Sequence, residues 1–344
     1  MDSRRSVPPL AAIFGCAGTG LSSSEREFFR HCDPAGFILF ARNIVSPDQV
    51  SALAEELREA AGRPDALVLV DQEGGRVARL KPPHWRAAPP QEIFGKLDRD
   101  VAGRAAKLNA RLLADELRVL GINVDCLPLL DLRFPGAHDI IGDRAFGETV
   151  ETVSRLGRAV CEGLLEGAVL PVIKHIPGHG RAHADSHLEL PRVDTPRGVL
   201  EETDFAPFVE LADMPLAMTA HIVYSDIDPV RPATTSPIVM GEIVRGFIGY
   251  DGLVMSDDLS MKALGGSFSS RAADSLKAGC DLVLHCNGDM DEMQQVADAA
   301  RPLDAEGLRR YHRALDMLGA PKPMNREAAL AEFAALTGGA TTQT

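Results

Sequence analysis

Short apolar runs recur along this chain, and segments with the spacing of amphipathic helices lie between most of them. The runs predicted as strands are Leu10–Cys16, Gly36–Phe40, Ala66–Val70, Val124–Leu127, Leu170–Ile173, Leu216–Thr219, Gly252–Met255 and Leu282–His285. The segments predicted as helices include Pro47–Ala61, Asp98–Leu120, Thr149–Glu166, Asp204–Ala212, Ser236–Arg245 and Ser269–Ala278. Strands that alternate with helices predict a parallel sheet, and this number of βαβ repeats predicts an α/β fold of the (β/α)8 TIM-barrel type. An open, doubly wound sheet is the alternative that periodicity leaves in place.

The same pattern predicts one main domain. The chain of 344 residues is long enough for a barrel of about 250 residues with additional segments. Prolines interrupt the pattern at residues 320–325, and Arg326–Leu336 has the composition of a last helix. We therefore expect a catalytic barrel domain over residues 1–325, followed at 326–344 by a C-terminal helix and a frayed tail.

Composition narrows the class of protein. The net charge of −13 argues against nucleic acid or an anionic membrane as the main partner. No apolar run approaches the ~18 residues of a membrane span. The six cysteines form no C-x-x-C pair and predict buried thiols in a reducing compartment, so we expect a cytoplasmic protein. Ile13–Cys16 loosely resembles a lipoprotein cleavage site, but it also fits the first strand.

Polar and titratable residues follow most of the predicted strands directly. They are Asp71–Arg76 after the third strand, Lys174 and His175 after the fifth, His221 after the sixth, Ser256–Asp258 after the seventh and Asn287 after the eighth. In a barrel the carboxyl ends of the strands converge on one mouth, where active sites lie. The pattern therefore predicts a single active site at that mouth.

The densest of these groups follows the fifth strand. We predict a loop from Lys174, because Pro177, Gly178 and Gly180 interrupt both helix and strand. Histidines recur every fourth residue from His175 to His187, which on a helix would form a metal-binding face. No H-E-x-x-H signature accompanies them, so we expect no metal site.

Acid/base chemistry is the other interpretation of this region. Asp185 and His187 lie two residues apart, and a carboxylate can orient an imidazole and raise its pKa. Such a dyad donates and then accepts a proton near neutral pH. The competing interpretation is that Asp185 only caps a turn.

Two further groups contain candidate site residues. Asp257, with Asp258 beside it, could act as a nucleophile, or both could be solvated loop charges or metal ligands. Asp71 could bind two sugar hydroxyls, and Arg79 could bind a carbonyl or carboxylate. The alternative for the glycine-containing Asp71–Arg79 segment is a phosphate-binding nest, but the chain has no G-x-x-x-x-G-K-[ST] motif.

Taken together, the motifs after the predicted strands resemble those of family 3 glycoside hydrolases, most closely the single-domain bacterial β-N-acetylglucosaminidases that recycle cell-wall fragments. The resemblance runs from about Leu10 to Asn287. The segments that carry it are Gly36–Asn43, Asp71–Arg76, Arg144–Gly147, Lys174–Gly180, Asp185–His187, Met218–His221, Ser256–Met261 and Ala278–Asp281. The family often has Phe where Ile176 stands, which is a mild departure.

The resemblance implies a TIM barrel and a retaining mechanism. It implies that Asp257 is the nucleophile and that His187 is the acid/base with Asp185 as its orienting partner, a departure from the two carboxylates of most glycosidases. It implies a loop from Gly178 to His187 that closes over substrate. The sugar-binding positions that it implies are Asp71, Arg79, Arg144, Lys174 and His175.

The expected activity is removal of non-reducing terminal GlcNAc from muropeptides or chitooligosaccharides, in peptidoglycan recycling. The expected partner is thus a small GlcNAc-containing substrate, with no cofactor, metal, nucleic acid or membrane. Rival interpretations are a β-glucosidase or glycoside phosphorylase on the same scaffold, a substrate-assisted mechanism, a metal-dependent hydrolase and a non-catalytic sugar-binding protein.

Overall fold

The computed structural model describes residues 7–134, 136, 139–182 and 190–339. Within these residues, eight parallel strands close into a barrel, each paired with its neighbours in chain order and the eighth paired with the first. The strands are β1 Leu10–Phe14, β2 Pro34–Leu39, β3 Leu67–Val70, β4 Val124–Asp125, β5 Leu170–Ile176, β6 Leu216–Thr219, β7 Leu253–Asp258 and β8 Leu282–His285. The prediction of a TIM barrel is confirmed, and the alternative prediction of an open, doubly wound sheet is wrong.

Helices surround the barrel between successive strands. They are α1 Ser23–Cys32, α2 Pro47–Ala61, α3 Glu92–Gly95, α4 Arg99–Arg118, α5 Val150–Glu166, α6 Arg197–Glu202, α7 Ala206–Glu210, α8 Phe268–Ala278, α9 Met290–Ala299, α10 Ala305–Asp316 and α11 Arg326–Leu336. A π-helix spans Val239–Phe247, and single 3₁₀ turns span Ala41–Asn43, Gly142–Arg144 and Ala233–Thr235. Two small sheets pair Gln72–Gly74 with Val77–Ala78 and Arg192–Val193 with Val223–Tyr224.

Local sequence explains where these elements begin and end. The Ser46 side chain accepts the backbone N–H of Gln49 and caps the start of α2, and Gly62 ends this helix at a φ of 66°. Ser, with its acceptor oxygen, and Gly, which tolerates positive φ, are the residues favoured at these positions. Helices cover the outside of the barrel, so a strand can be buried on both faces, and all four residues of β3 are apolar and buried.

One boundary differs from the sequence prediction at the site itself. The predicted loop from Lys174 is wrong for three residues, because β5 continues to Ile176 and ends only before Pro177. The register of β5 against β6 shifts between Lys174 and Ile176. Such a bulge breaks the strict alternation of side chains along a strand, and Lys174 and His175 both line the same cavity.

The C-terminal helix packs against the barrel's outer layer. Phe333 of α11 is 1% exposed, and its ring centroid lies 6.3 Å from that of Phe94 in α3. Arg326 pairs with Asp115 and Glu116 of α4 at 3.0 and 2.6 Å. The division of the chain at residue 325 into a barrel domain and a C-terminal segment stays a prediction.

All six cysteines are free thiols, and only Cys32 is partly exposed. None of the helices in the described ranges combines the length and apolar character needed to traverse a lipid bilayer.

Candidate active site

A cavity of about 290 Å³ opens at the carboxyl ends of the barrel strands. Strands β2, β3, β5, β6, β7 and β8 each contribute side chains to it, from the strand end or the residues just beyond. Its wall includes all the sequence-predicted site residues that the structure describes, namely Asp71, Arg79, Arg144, Lys174, His175 and Asp257. The structure thus brings together residues that lie up to 186 positions apart.

The wall contains a continuous chain of alternating charges. Arg79 donates to Asp71 at 2.9 Å, and Lys174 lies 3.0 Å from the second oxygen of Asp71. Lys174 also lies 2.6 Å from Glu73. Arg144 completes the chain with two hydrogen bonds to the Glu73 carboxylate, at 2.8 and 2.9 Å. Three cations hold two carboxylates, so the chain carries one surplus positive charge.

This pairing favours the ionised forms of Asp71, Glu73 and Lys174. Burial alone would raise the pKa of Asp71, but Lys174 and Arg79 outweigh burial and hold that pKa below its usual value. Burial likewise opposes ionisation of Glu73, and Arg144 and Lys174 lower its pKa. Burial would lower the pKa of Lys174, which the two carboxylates raise instead. The site therefore presents fixed hydrogen-bond donors and acceptors to a ligand.

Glu73 is a site residue for which sequence reasoning assigned no role. Its side chain is 2% exposed, and it joins Lys174 to Arg144. It belongs to the same segment as Asp71, in the short strand Gln72–Gly74, so the polar run after β3 pointed to it. Its partner Arg144 lies 71 positions away, which only the fold reveals.

Asp131 is the second site residue that sequence reasoning missed. It is fully buried, and its Oδ2 lies 2.7 Å from Nδ1 of His175. Its Oδ1 accepts the backbone N–H groups of His175 and His179, at 3.2 and 2.6 Å. Burial would raise the pKa of Asp131, but His175, through charge and hydrogen bond, and His179 lower it to about 2. Asp131 follows the fourth strand only after five intervening residues, so the signal of a polar residue directly after a strand did not mark it.

Asp257 lies near the end of β7 and faces the same cavity. Its Oδ1 accepts the backbone N–H of Asp258 at 2.8 Å, and its own N–H donates to Thr219 Oγ1 at 3.3 Å. Burial would raise its pKa, but the His221 and His175 rings outweigh burial and lower it. A nucleophilic carboxylate must be ionised, and hydrogen bonds that fix its position on the cavity wall favour attack on a bound ligand.

The neighbouring Asp258 has a different environment. Its carboxylate accepts the backbone N–H groups of Cys286 and Ser260, at 3.1 and 3.0 Å, and the Ser260 hydroxyl. These bonds tie the end of β7 to the residue that follows β8. Of the adjacent acids, Asp258 therefore stabilises the loops, and Asp257 remains the chemically available one.

Asp185 and His187 lie outside the described residues. The structure describes the chain on both sides of 183–189. On the N-terminal side, Arg181 donates to Asp204 at 2.7 Å and its guanidinium lies 3.9 Å from the centre of the Phe134 ring. On the C-terminal side, Arg192–Val193 pairs with Val223–Tyr224.

Within the described ranges, no group of three or more His, Cys, Asp or Glu side chains is placed to hold a metal ion. The expectation that the protein needs no metal stays a prediction.

An eight-stranded parallel barrel with a charged cavity at its carboxyl end defines a TIM-barrel enzyme of the kind that acts on small polar substrates. Residues 15–309 match the model of the glycosyl hydrolase family 3 N-terminal domain. The chain belongs to glycosyl hydrolase family 3, and it is a glycoside hydrolase.

Individual relatives agree with this assignment. The chain is 43% identical to a β-hexosaminidase of Alkalilimnicola ehrlichii over 281 residues, which is 80% of each protein. It is 39% identical to a β-hexosaminidase of Bordetella pertussis over 323 residues, 92% of this chain and 90% of the relative. Among solved structures, NagZ from Neisseria gonorrhoeae in complex with N-trifluoroacetyl-D-glucosamine superposes with a TM-score of 0.86 at 33% identity, covering 96% of this chain and 99% of NagZ.

Proposed function

We propose that this enzyme is a retaining exo-β-N-acetylglucosaminidase that removes non-reducing terminal GlcNAc from muropeptides. The activity class, a glycoside hydrolase with β-N-acetylhexosaminidase activity, comes with the family and with relatives of that name. The observation that carries the finer proposal is the ionised Asp257 in the wall of a small cavity shared with Asp71, Lys174 and His175. The cell-wall fragment as substrate rests on the family resemblance.

The size of the cavity supports action at a chain end. A volume of about 290 Å³ is at the lower limit of ordinary ligand pockets, which start at about 300 Å³. Such a space suits one sugar ring rather than several. An enzyme that holds a single terminal sugar releases monosaccharides, so we infer exo cleavage.

The first chemical step forms a bond to the protein. A carboxylate oxygen of Asp257 attacks the anomeric carbon, and the bond from that carbon to the glycosidic oxygen breaks. His187 donates a proton to the departing oxygen, which leaves as a neutral alcohol. The sugar is then held as an ester of Asp257.

The second step reverses these roles. The neutral His187 takes a proton from water, the water oxygen attacks the anomeric carbon, and the Asp257 ester bond breaks. Two inversions at the same carbon give net retention of the β configuration. Asp185 is proposed to orient His187 throughout.

The charged wall is proposed to bind the sugar hydroxyls. Arg79, Lys174 and Arg144 offer donors, and Asp71 offers acceptor oxygens whose geometry the ion pairs already fix. Prearranged groups lose little entropy when a sugar binds. The apolar wall formed by Met218, Met261 and Ile140 complements the carbon faces of the ring.

Hydrolysis of p-nitrophenyl β-N-acetylglucosaminide beside the matching β-glucoside tests the proposal. We expect fast release from the acetamido substrate and none from the Asp257→Ala variant. Preference for the glucoside would overturn the proposed substrate. Faster cleavage with added phosphate, with a sugar phosphate as product, would show that the reaction is phosphorolysis rather than hydrolysis. Asp228→Asn serves as a folding comparison, because Asp228 lies outside the cavity wall and its carboxylate accepts two backbone N–H groups.

A further inference from the structure

We propose that Asp131 is a positioning residue that keeps Nδ1 of His175 protonated and directs Nε2 of that ring to the sugar cavity. Asp131 lies beyond β4, behind His175 as seen from the cavity, and is fully buried. It does not line the cavity itself. The inference rests on the proposed function, because a sugar is the ligand that His175 is proposed to bind.

The hydrogen bonds determine which ring nitrogen carries a proton. An ionised carboxylate only accepts hydrogen bonds, so the nitrogen that lies 2.7 Å from it must be the donor. That nitrogen is Nδ1, which leaves Nε2 as the ring atom available to a ligand. The low pKa of Asp131, about 2, keeps the carboxylate ionised at neutral pH.

The same carboxylate also fixes the backbone that carries the ring. Its Oδ1 accepts the N–H of His175 and the N–H of His179, so both ends of the Ile176–Gly178 segment are tied to one side chain. A ring held through its Nδ1 and through its own backbone N–H has a single orientation. Among the described residues, the titratable groups near His175 include Lys174, the His179 ring at 5.4 Å between centroids, His221 and Asp257.

Replacing Asp131 by Asn should exchange the donor and acceptor roles in the hydrogen bond between this side chain and Nδ1 of His175. The two backbone N–H groups at Oδ1 require an acceptor, so the carbonyl oxygen of the amide must occupy that place. The amide NH2 then faces Nδ1 of His175, which must become an acceptor, and the ring proton moves to Nε2. The variant keeps the size of the side chain and changes the proton position in the cavity.

A double-mutant cycle tests whether Asp131 acts through His175. We expect Asp131→Asn to lower kcat/KM for p-nitrophenyl β-N-acetylglucosaminide by about 10–100-fold, as expected for a lost hydrogen bond to a charged group. In a His175→Ala background the same change should cost no more than about twofold. Equal losses in both backgrounds would overturn the proposal, because they would show an effect independent of His175.

Asp228→Asn is the matched control. Asp228 is also buried, and its carboxylate also accepts two backbone N–H groups and one side-chain donor, the Ser236 hydroxyl at 2.6 Å. It lies outside the cavity wall. We expect this variant to lose stability without the kinetic change, and a kinetic loss equal to that of Asp131→Asn would overturn the proposal.

A measurement on the unsubstituted protein covers the case in which Asp131→Asn does not fold. In ¹⁵N-histidine-labelled enzyme, the His175 signals are assigned by their loss in His175→Gln. We expect Nδ1 to be protonated, and a neutral ring with its proton on Nε2 would overturn the proposal. If the unsubstituted enzyme cleaves no GlcNAc glycoside, the proposed function fails, and the ring state still decides the inference about Asp131.

Discussion

The Lys174 ammonium lies 2.6 Å from the Glu73 carboxylate, and both side chains are only 2% exposed. Each of the two groups also pairs with another member of the charged wall, Lys174 with Asp71 and Glu73 with Arg144. A buried charge is tolerated only with such partners. The wall that is proposed to bind the sugar is therefore also part of what keeps the barrel mouth folded.

Glu73→Gln should destabilise the protein strongly. The change leaves Lys174 and Arg144 with one fewer counter-charge inside the protein, and breaking a buried pair costs about 3–5 kcal/mol. Urea unfolding measures this free energy. The comparison is Glu162→Gln, which removes an exposed pair with Lys107 and should cost less than about 1 kcal/mol. Equal losses of unfolding free energy in the two variants would show that the buried row of alternating charges has no special role in stability.

His179 should make the stability depend on pH. Burial, and then the neighbouring His175, lower its pKa from 6.5 to about 4, so the folded protein binds fewer protons than the unfolded chain between those values. Stability is therefore full above pH 6.5 and falls as the pH drops towards 4, by about 3 kcal/mol in total at about 1.4 kcal/mol per pH unit.

Urea unfolding of the wild type and of His179→Gln at pH 7.0 and pH 4.5 measures this contribution. The wild type should lose more stability between the two conditions than the variant. Parallel losses would mean that another group is responsible. Asp131 contributes separately to the pH dependence. Its pKa is lower in the folded protein than in the unfolded chain, so its contribution to stability is complete above the unfolded pKa and is lost as the pH falls towards 2.

His187→Ala should affect substrates according to their leaving group. A positioned general acid contributes about 10²–10⁴-fold, and we expect a loss of that order on a GlcNAc disaccharide. The loss on the p-nitrophenyl glycoside should be smaller, because nitrophenolate leaves without protonation. The same loss on both substrates would remove His187 from the acid role. Asp185→Asn should shift the pH profile of kcat/KM, and an unchanged profile would remove Asp185 from the dyad.

Chelation should leave the activity unchanged. The proposed mechanism uses the Asp257 carboxylate and the His187 imidazole, and no step requires a metal ion. Assay after dialysis against EDTA measures this, with the activity of a mock-dialysed sample as control. A loss that added zinc restores would support the metal-dependent alternative.

Periodicity predicted most of the fold. All eight predicted strands occur in the barrel, and Leu216–Thr219 and Leu282–His285 match residue for residue. Helices α1, α3, α6, α9 and α10 were not among the segments named as helices from the sequence. The predicted helix Ser236–Arg245 is a π-helix over Val239–Phe247, a geometry that no hydrophobic spacing distinguishes.

The site was predictable where polar residues directly follow a strand. Asp71 directly follows β3, Lys174 and Asp257 follow the apolar parts of β5 and β7, and all three reach one cavity. Asp131 was missed because five residues, Cys126–Leu130, separate it from β4. Its contact with His175 spans 44 positions, and only the closed barrel brings the two together.

Trapping the covalent bond that Asp257 is proposed to form with the sugar tests the mechanism. The enzyme is incubated with a fluorinated GlcNAc donor that carries a good leaving group, digested and analysed by mass spectrometry. We expect one glycosylated peptide, with the sugar on Asp257. A label on another carboxylate would identify a different nucleophile and contradict the role of Asp257. Continued turnover with no labelled peptide would contradict it too, and would favour attack by the acetamido oxygen of the substrate.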